Sequence, residues 1–153
     1  MFRAGEWLSI AVLGLVILFI FTSIAFFNFL IGPEGTGPTT TVDPSTAYIQ
    51  FIFISLAPAF GLSFFTNVLS EGSRFSSLLI LVSGICLVLG MFYVTTLIPM
   101  ITEIELPSWV VYAPWVFSIL GILLIAIGYI NYRKRAYKST RNNEIWSLEK
   151  GDI

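Results

Sequence analysis

Glu103 and Glu105 stand one residue apart in "ITEIELPSW", and two more carboxylates, Glu34 and Asp43, belong to the stretch "GPEGTGPTTTVDPSTA". Carboxylates gathered in this way are the residues that hold a hard divalent cation. Such a cation typically takes six to eight oxygens, and two carboxylates in a short loop are ordinarily solvated, so no metal-binding residue is assigned. Cys86, the one cysteine, lies in an apolar run with no base beside it. A thiol in that setting is a small packing residue, and one cysteine rules out an internal disulfide, a Cys-x-x-Cys redox pair and a cysteine-bound iron–sulfur cluster. Histidine is absent from the chain. That removes bis-histidine haem ligation, most copper and zinc sites and a Ser/His/Asp triad. No glycine loop has the spacing of a phosphate cradle. No catalytic and no cofactor-binding residue is assigned, and the chain is read as not an enzyme by itself.

The charged residues lie where chemistry inside a membrane could not use them. Between Trp7 and Ile31, Thr46 and Ser70, Phe75 and Thr102, and Leu106 and Tyr132 there is none. Proton relays and ion pathways are marked by ionisable residues within spans, and here the nearest is Glu6, which fits an interfacial pair with Arg3. The small multidrug exporters place a glutamate well inside the first span, which this chain does not. Quinone-reducing thiol enzymes and tetraspanin-like proteins need more than one cysteine.

These gaps define the elements. Charged residues are 11% of the chain and hydrophobic ones 56%, whereas a soluble domain carries about 25% charged residues. The composition predicts an all-α integral membrane protein, a four-transmembrane-helix bundle with spans at about 7–31, 48–69, 75–102 and 107–132, followed by a basic tail over 133–153. The first run has 25 residues and reaches roughly 37 Å as a helix, enough for a ~30 Å hydrocarbon core and too long for a cleavable signal peptide. Gly32-Pro33 should stop it. Asp43 and Pro44 should cap and start the second. Pro58 should kink that helix and leave the Ile54 carbonyl to a hydroxyl or a water. A short turn through Gly72 should make the second and third spans antiparallel neighbours. Thr95 and Thr96 are expected to satisfy backbone freed by Pro99. Trp109, Tyr112 and Trp115 at one end of the fourth span, and Tyr129 and Tyr132 at the other, suit the headgroup levels.

Four spans put both termini on one side, together with Arg3, Arg74, Arg133, Lys134, Arg135, Lys138, Arg141 and Lys150. The other side has Glu34, Asp43, Glu103 and Glu105 and no cation. Short loops rich in Lys and Arg stay in the cytoplasm. The expectation is therefore a multi-pass protein of the plasma membrane with both ends cytoplasmic. Arg133, Lys134, Arg135, Lys138 and Arg141 form a topological anchor that would also attract anionic headgroups. They lack the aromatic stacking groups or folded basic face of a nucleic-acid site. Beyond them, Ile145, Trp146 and Leu148 allow either a short amphipathic patch or a partly ordered end.

Small residues recur where helices could approach closely. They are Ala57 and Gly61 on the second span, Ser76, Ser83 and Gly90 on the third, and Pro114, Gly121 and Gly128 on the fourth. These are the helix-packing or interface candidates, and the chain's own four helices could account for all of them. Of the 14 Phe residues, many crowd the first two spans, and some of these must face outward. The expected function is that of a non-catalytic accessory or structural subunit of a larger integral membrane complex, such as a respiratory or membrane-oxidase/monooxygenase assembly. It would act by helix–helix packing, its partners being other integral membrane subunits and lipids. The alternative is a small oligomeric channel or transporter, a homo-oligomer lined by Thr22, Ser23, Asn28, Gln50, Ser63, Thr66, Asn67, Thr95 and Thr96.

Overall fold

The computed structural model describes residues 4–38, 40, 42–69, 73–102 and 104–151, with the side chains of 34, 67–69 and 135–151 left aside. Among them every regular element is helical: α1 (Ala4–Ile31), α2 (Pro44–Phe51), a π-helical turn (Ile52–Leu56), α3 (Ala57–Leu69), α4 (Arg74–Leu97) and α5 (Ser108–Gly151). Four stretches are long and apolar enough to cross a membrane: Ala4–Ile31, Pro44–Thr66, Arg74–Met100 and Ser108–Lys134. The protein is an all-helical chain with four candidate spans.

The helix ends follow from particular residues. Gly32 stops α1 with φ 70°, and its N–H donates to the Asn28 carbonyl at 3.1 Å. The Gly37 backbone lies where a Cβ on Gly32 would stand, so only glycine fits. Asp43 caps α2, its Oδ1 accepting from the Ser45 N–H at 3.1 Å and its Oδ2 from the Thr46 hydroxyl at 2.6 Å. Pro44 occupies the first helical position, where its missing N–H costs nothing. Ser73 caps α4 by accepting from the Ser76 N–H at 3.4 Å.

Pro58 is handled by a route other than the one expected from the sequence. The hydroxyl just upstream of Pro58, Ser55, donates to Phe51 O at 2.6 Å and not to Ile54 O. Instead the backbone widens into the π-turn, in which the Ala57 N–H reaches back to Ile52 O. A π-turn shifts the hydrogen-bond register by one residue, and here it does so immediately before the residue that has no N–H. Pro99 also differs from expectation. The Thr95 hydroxyl reaches Phe92 O at 2.5 Å and Met91 O at 3.2 Å, and Thr96 reaches Tyr93 O at 2.7 Å. The span then ends in the 3₁₀ turn Ile98–Met100, closed by the Ile101 N–H donating to Ile98 O at 3.1 Å.

Buried positions recur at steps of three and four: 5, 9, 12, 16, 19, 23, 26 and 30 on α1; 76, 80, 83, 87, 91, 94 and 97 on α4; 110, 114, 117, 121, 124 and 128 on α5. This 3.5-residue period is the seam of near-parallel helices crossing at about 20°. The α4–α5 interface is the most extensive, followed by α1–α4 and α1–α3, while α3 and α4 approach at most marginally. The second and third spans are therefore not the neighbours that their short connection predicts. Helix α1 packs against both, because its buried residues cover more than one stripe: Phe26 and Phe27 are buried side by side.

Tyr48 is the centre of the aromatic core. It is fully buried, stacks on Phe26 at 5.7 Å with a 14° interplanar angle and meets Phe27 edge-on at 5.6 Å. Trp109 and Phe117 of α5 each lie 6.2 Å from it. Aromatic pairs of this geometry contribute about 0.5–1.5 kcal/mol each.

The fourth helix continues without a break through the region read as a tail. At 44 residues, α5 is about 66 Å long, and the part beyond Lys134 extends the span by roughly 25 Å.

Candidate packing surfaces and basic membrane interface

The small residues fall into two groups, one inward and one outward. A Cβ on Gly121 would stand 3.1 Å from Gly84 O and 2.8 Å from the Val88 side chain. One on Gly128 would stand 2.7 Å from the Leu81 nitrogen, and one on Gly84 2.7 Å from Gly121 O. Gly84, Gly121 and Gly128 thus let the α4 and α5 backbones meet. Gly90 does the same toward α1, where a Cβ would come within 2.6 Å of the Ile20 side chain. Ser76 donates to Gly5 O at 3.1 Å, and Ser73 donates to Glu6 Oε1 at 2.6 Å, tying the starts of α1 and α4 together. Ser83 and Pro114 are buried as well. Every small-residue candidate on α4 and α5 is used within the bundle, so changing Gly121 or Gly128 tests the fold and not an external partner.

Gly84 was not among the residues read from the sequence. The signal was present as the register Ser77, Gly84, Met91, one position along from Ser76, Ser83, Gly90. Ser76 and Gly90 meet α1 and Gly84 meets α5, and spacing alone does not separate the two faces of a doubly packed helix.

Ala57 and Gly61 belong to the outward group. Both are exposed, as is Pro58 between them, and nothing lies within 4 Å of a Cβ placed on Gly61. Large apolar side chains flank this strip, with Phe53 70%, Ile54 66%, Phe64 69% and Phe65 57% exposed. The result is a shallow trough in the second span with aromatic walls. Gly14 on α1 is also open, with the exposed small residue Ala11 and the larger Ile10 and Leu18 about a turn away.

Hydroxyls expected in a pore lining are largely spent on their own helices. Ser63 donates to Ala59 O at 2.8 Å, Thr66 to Leu62 O at 2.7 Å and Thr22 to Leu18 O at 2.8 Å. The buried hydroxyls of Ser23 and Tyr48 lie near each other, short of a well-formed hydrogen bond. Asn28 and Gln50 are exposed on the outside of the bundle, and the side chain of Asn67 is outside the described set. The carboxylates do not gather either: no cluster of three or more metal-ligating side chains occurs among the described residues. Asp43 is engaged as a cap, while Glu103 and Arg3 lie outside the described residues.

At the opposite end from Asp43, Arg133 and Lys134 are exposed where the apolar part of α5 ends. With Tyr129 and Ile130 they line a notch of about 370 Å³. Arg135, Lys138 and Arg141 follow on the same helix, their side chains outside the described set. Gly128 beside Leu81, and Ser76 beside Gly5, place this basic stretch at the same end of the bundle as the start of α1.

The chain matches no family model, and no curated protein or solved structure is significantly similar to it.

Proposed function

We propose that the protein is a non-catalytic accessory subunit of a larger integral membrane complex, seated in the plasma membrane with both termini cytoplasmic. Its second span docks against a neighbouring subunit. The observation carrying this reading is the outward trough of Ala57, Pro58 and Gly61 between Phe53, Ile54, Phe64 and Phe65. In lipid, helices associate through close backbone approach at small residues, and this is the one described pair of small residues a helical turn apart among the candidates that the bundle does not consume itself. Large flanking aromatics give a partner helix two walls to pack against. The basic end supports the orientation, because cations gather on the cytoplasmic side of short loops.

Extraction of membranes in mild detergent, followed by native mass measurement, tests this. The wild-type chain is expected in a hetero-complex. Ala57→Leu and Gly61→Leu fill open space, so they should leave the melting temperature of the isolated chain unchanged while reducing co-purification at least tenfold. Full retention of partners by both variants would overturn the docking face, and a homogeneous self-assembly that passes solute in liposomes would overturn the accessory role.

A further inference from the structure

We infer that the notch formed by Tyr129, Ile130, Arg133 and Lys134 is a binding site for an anionic phospholipid, with the headgroup phosphate at the two cations and an acyl chain against the tyrosine and isoleucine. The helix register builds the site. Arg133 follows Tyr129 by four residues and Lys134 follows Ile130 by four, so each cation stands one turn beyond an apolar side chain on the same face of α5. All four side chains are exposed, and the space between them is about 370 Å³. Below the notch lies the apolar span, and above it α5 continues as helix to Gly151, which keeps the two pairs in fixed register.

The chemistry of the lining selects an amphiphile. Inorganic phosphate would meet the guanidinium and ammonium groups but leave the Ile130 and Tyr129 wall uncovered. A zwitterionic lipid such as phosphatidylcholine would cover that wall and bring a phosphate, but its own choline cation would offset the attraction of the headgroup to the two cations. An arginine fork can take two phosphate oxygens at once, with the lysine as a nearby point charge. Tyr129 places an amphipathic ring where the hydrocarbon gives way to headgroups. Arg135, Lys138 and Arg141 follow along the helix. Their charges add a diffuse attraction, whereas the notch combines an apolar wall with paired cations among the described residues. The site needs no partner subunit, so it stands or falls apart from the docking trough.

The experiment uses the full chain purified in detergent, with phosphatidylglycerol or phosphatidylcholine added at equal concentration and retained lipid counted by native mass spectrometry. Phosphatidylglycerol should be retained in preference to phosphatidylcholine. Each basic residue near an anionic surface contributes enough to change retention roughly fivefold, so the double variant R133Q/K134Q should lower phosphatidylglycerol retention about thirtyfold. Lys150→Gln, remote from the notch, should change it less than twofold. Helical content by circular dichroism separates loss of the site from loss of fold, and Tyr129→Ala, which removes the wall and keeps both charges, should also reduce retention. Equal retention of both lipids, an unchanged double variant, or displacement of the lipid by millimolar inorganic phosphate would each overturn the assignment.

Discussion

Asp43 is an exposed carboxylate whose work is local. The Thr46 hydroxyl and then the Ser45 N–H hold its carboxyl below the ordinary value of 3.8, because both bonds favour the charged form. A depressed folded-state value means the cap stabilises fully above the unfolded carboxylate's pKa and is lost as pH falls through the lower folded value. Thermal unfolding in detergent should therefore lose a component below about pH 4 that is absent in Asp43→Asn, which retains a neutral acceptor. Identical acid profiles for the two proteins would contradict this role. This cap was legible in the sequence, since Asp-Pro before an apolar run specifies both the acceptor and the first helical residue. Gly32-Pro33 was legible for the same reason. The π-turn was not: a proline announces a missing donor but not which neighbouring carbonyl will shift its register. The burial of Tyr48 was equally hidden, because a tyrosine at the start of a span reads as an interfacial residue.

Among the elements, α4 and α5 depend on backbone contact. Gly128→Ala is expected to destabilise the chain by roughly 1–3 kcal/mol, the usual cost of overpacking, because the new methyl would stand 2.7 Å from the Leu81 nitrogen and 2.9 Å from its Cα. Backbone atoms cannot rotate aside as a flexible side chain can. Gly61→Ala meets nothing within 4 Å and exchanges a poor helix former for a good one, so it should leave thermal unfolding unchanged or raise its midpoint slightly. Equal losses at the two glycines, measured by unfolding in the same detergent, would contradict the division into inward and outward faces. The sequence supplied the small residues and the heptad spacing but not this division. Nor did it reveal that α1 packs against both the second and the third spans, since short connections argue for sequential neighbours and only the three-dimensional packing of Phe26, Phe27 and the rest of α1 says otherwise. The continuation of α5 was available and was obscured by composition. From Arg133 to Lys150 there is neither glycine nor proline, so nothing stops the helix, yet the change from apolar to charged residues reads as the end of an element.

On the scale of the whole molecule, charge and packing lead to one orientation. The start of α1 and the basic part of α5 share an end of the bundle, and the loop before Asp43 belongs to the other, where no lysine or arginine occurs between residues 32 and 46 or between 98 and 107. In the proposed orientation, with the cation-rich end in the cytoplasm, the length of α5 would project the residues after Lys134 into that compartment as a continuous helix. Single-cysteine labelling makes the arrangement testable in a Cys86→Ala background, which removes the one native thiol. In intact cells, Thr40→Cys should react with a membrane-impermeant maleimide within minutes. Ser147→Cys should react only after the membrane is permeabilised, with at least a tenfold difference in labelling. Both positions labelled from outside would mean an even number of crossings between them in place of the three expected. The reverse pattern would mean that a force other than the basic end sets the topology, and the anionic-lipid notch would then face the leaflet opposite to the one its charges predict.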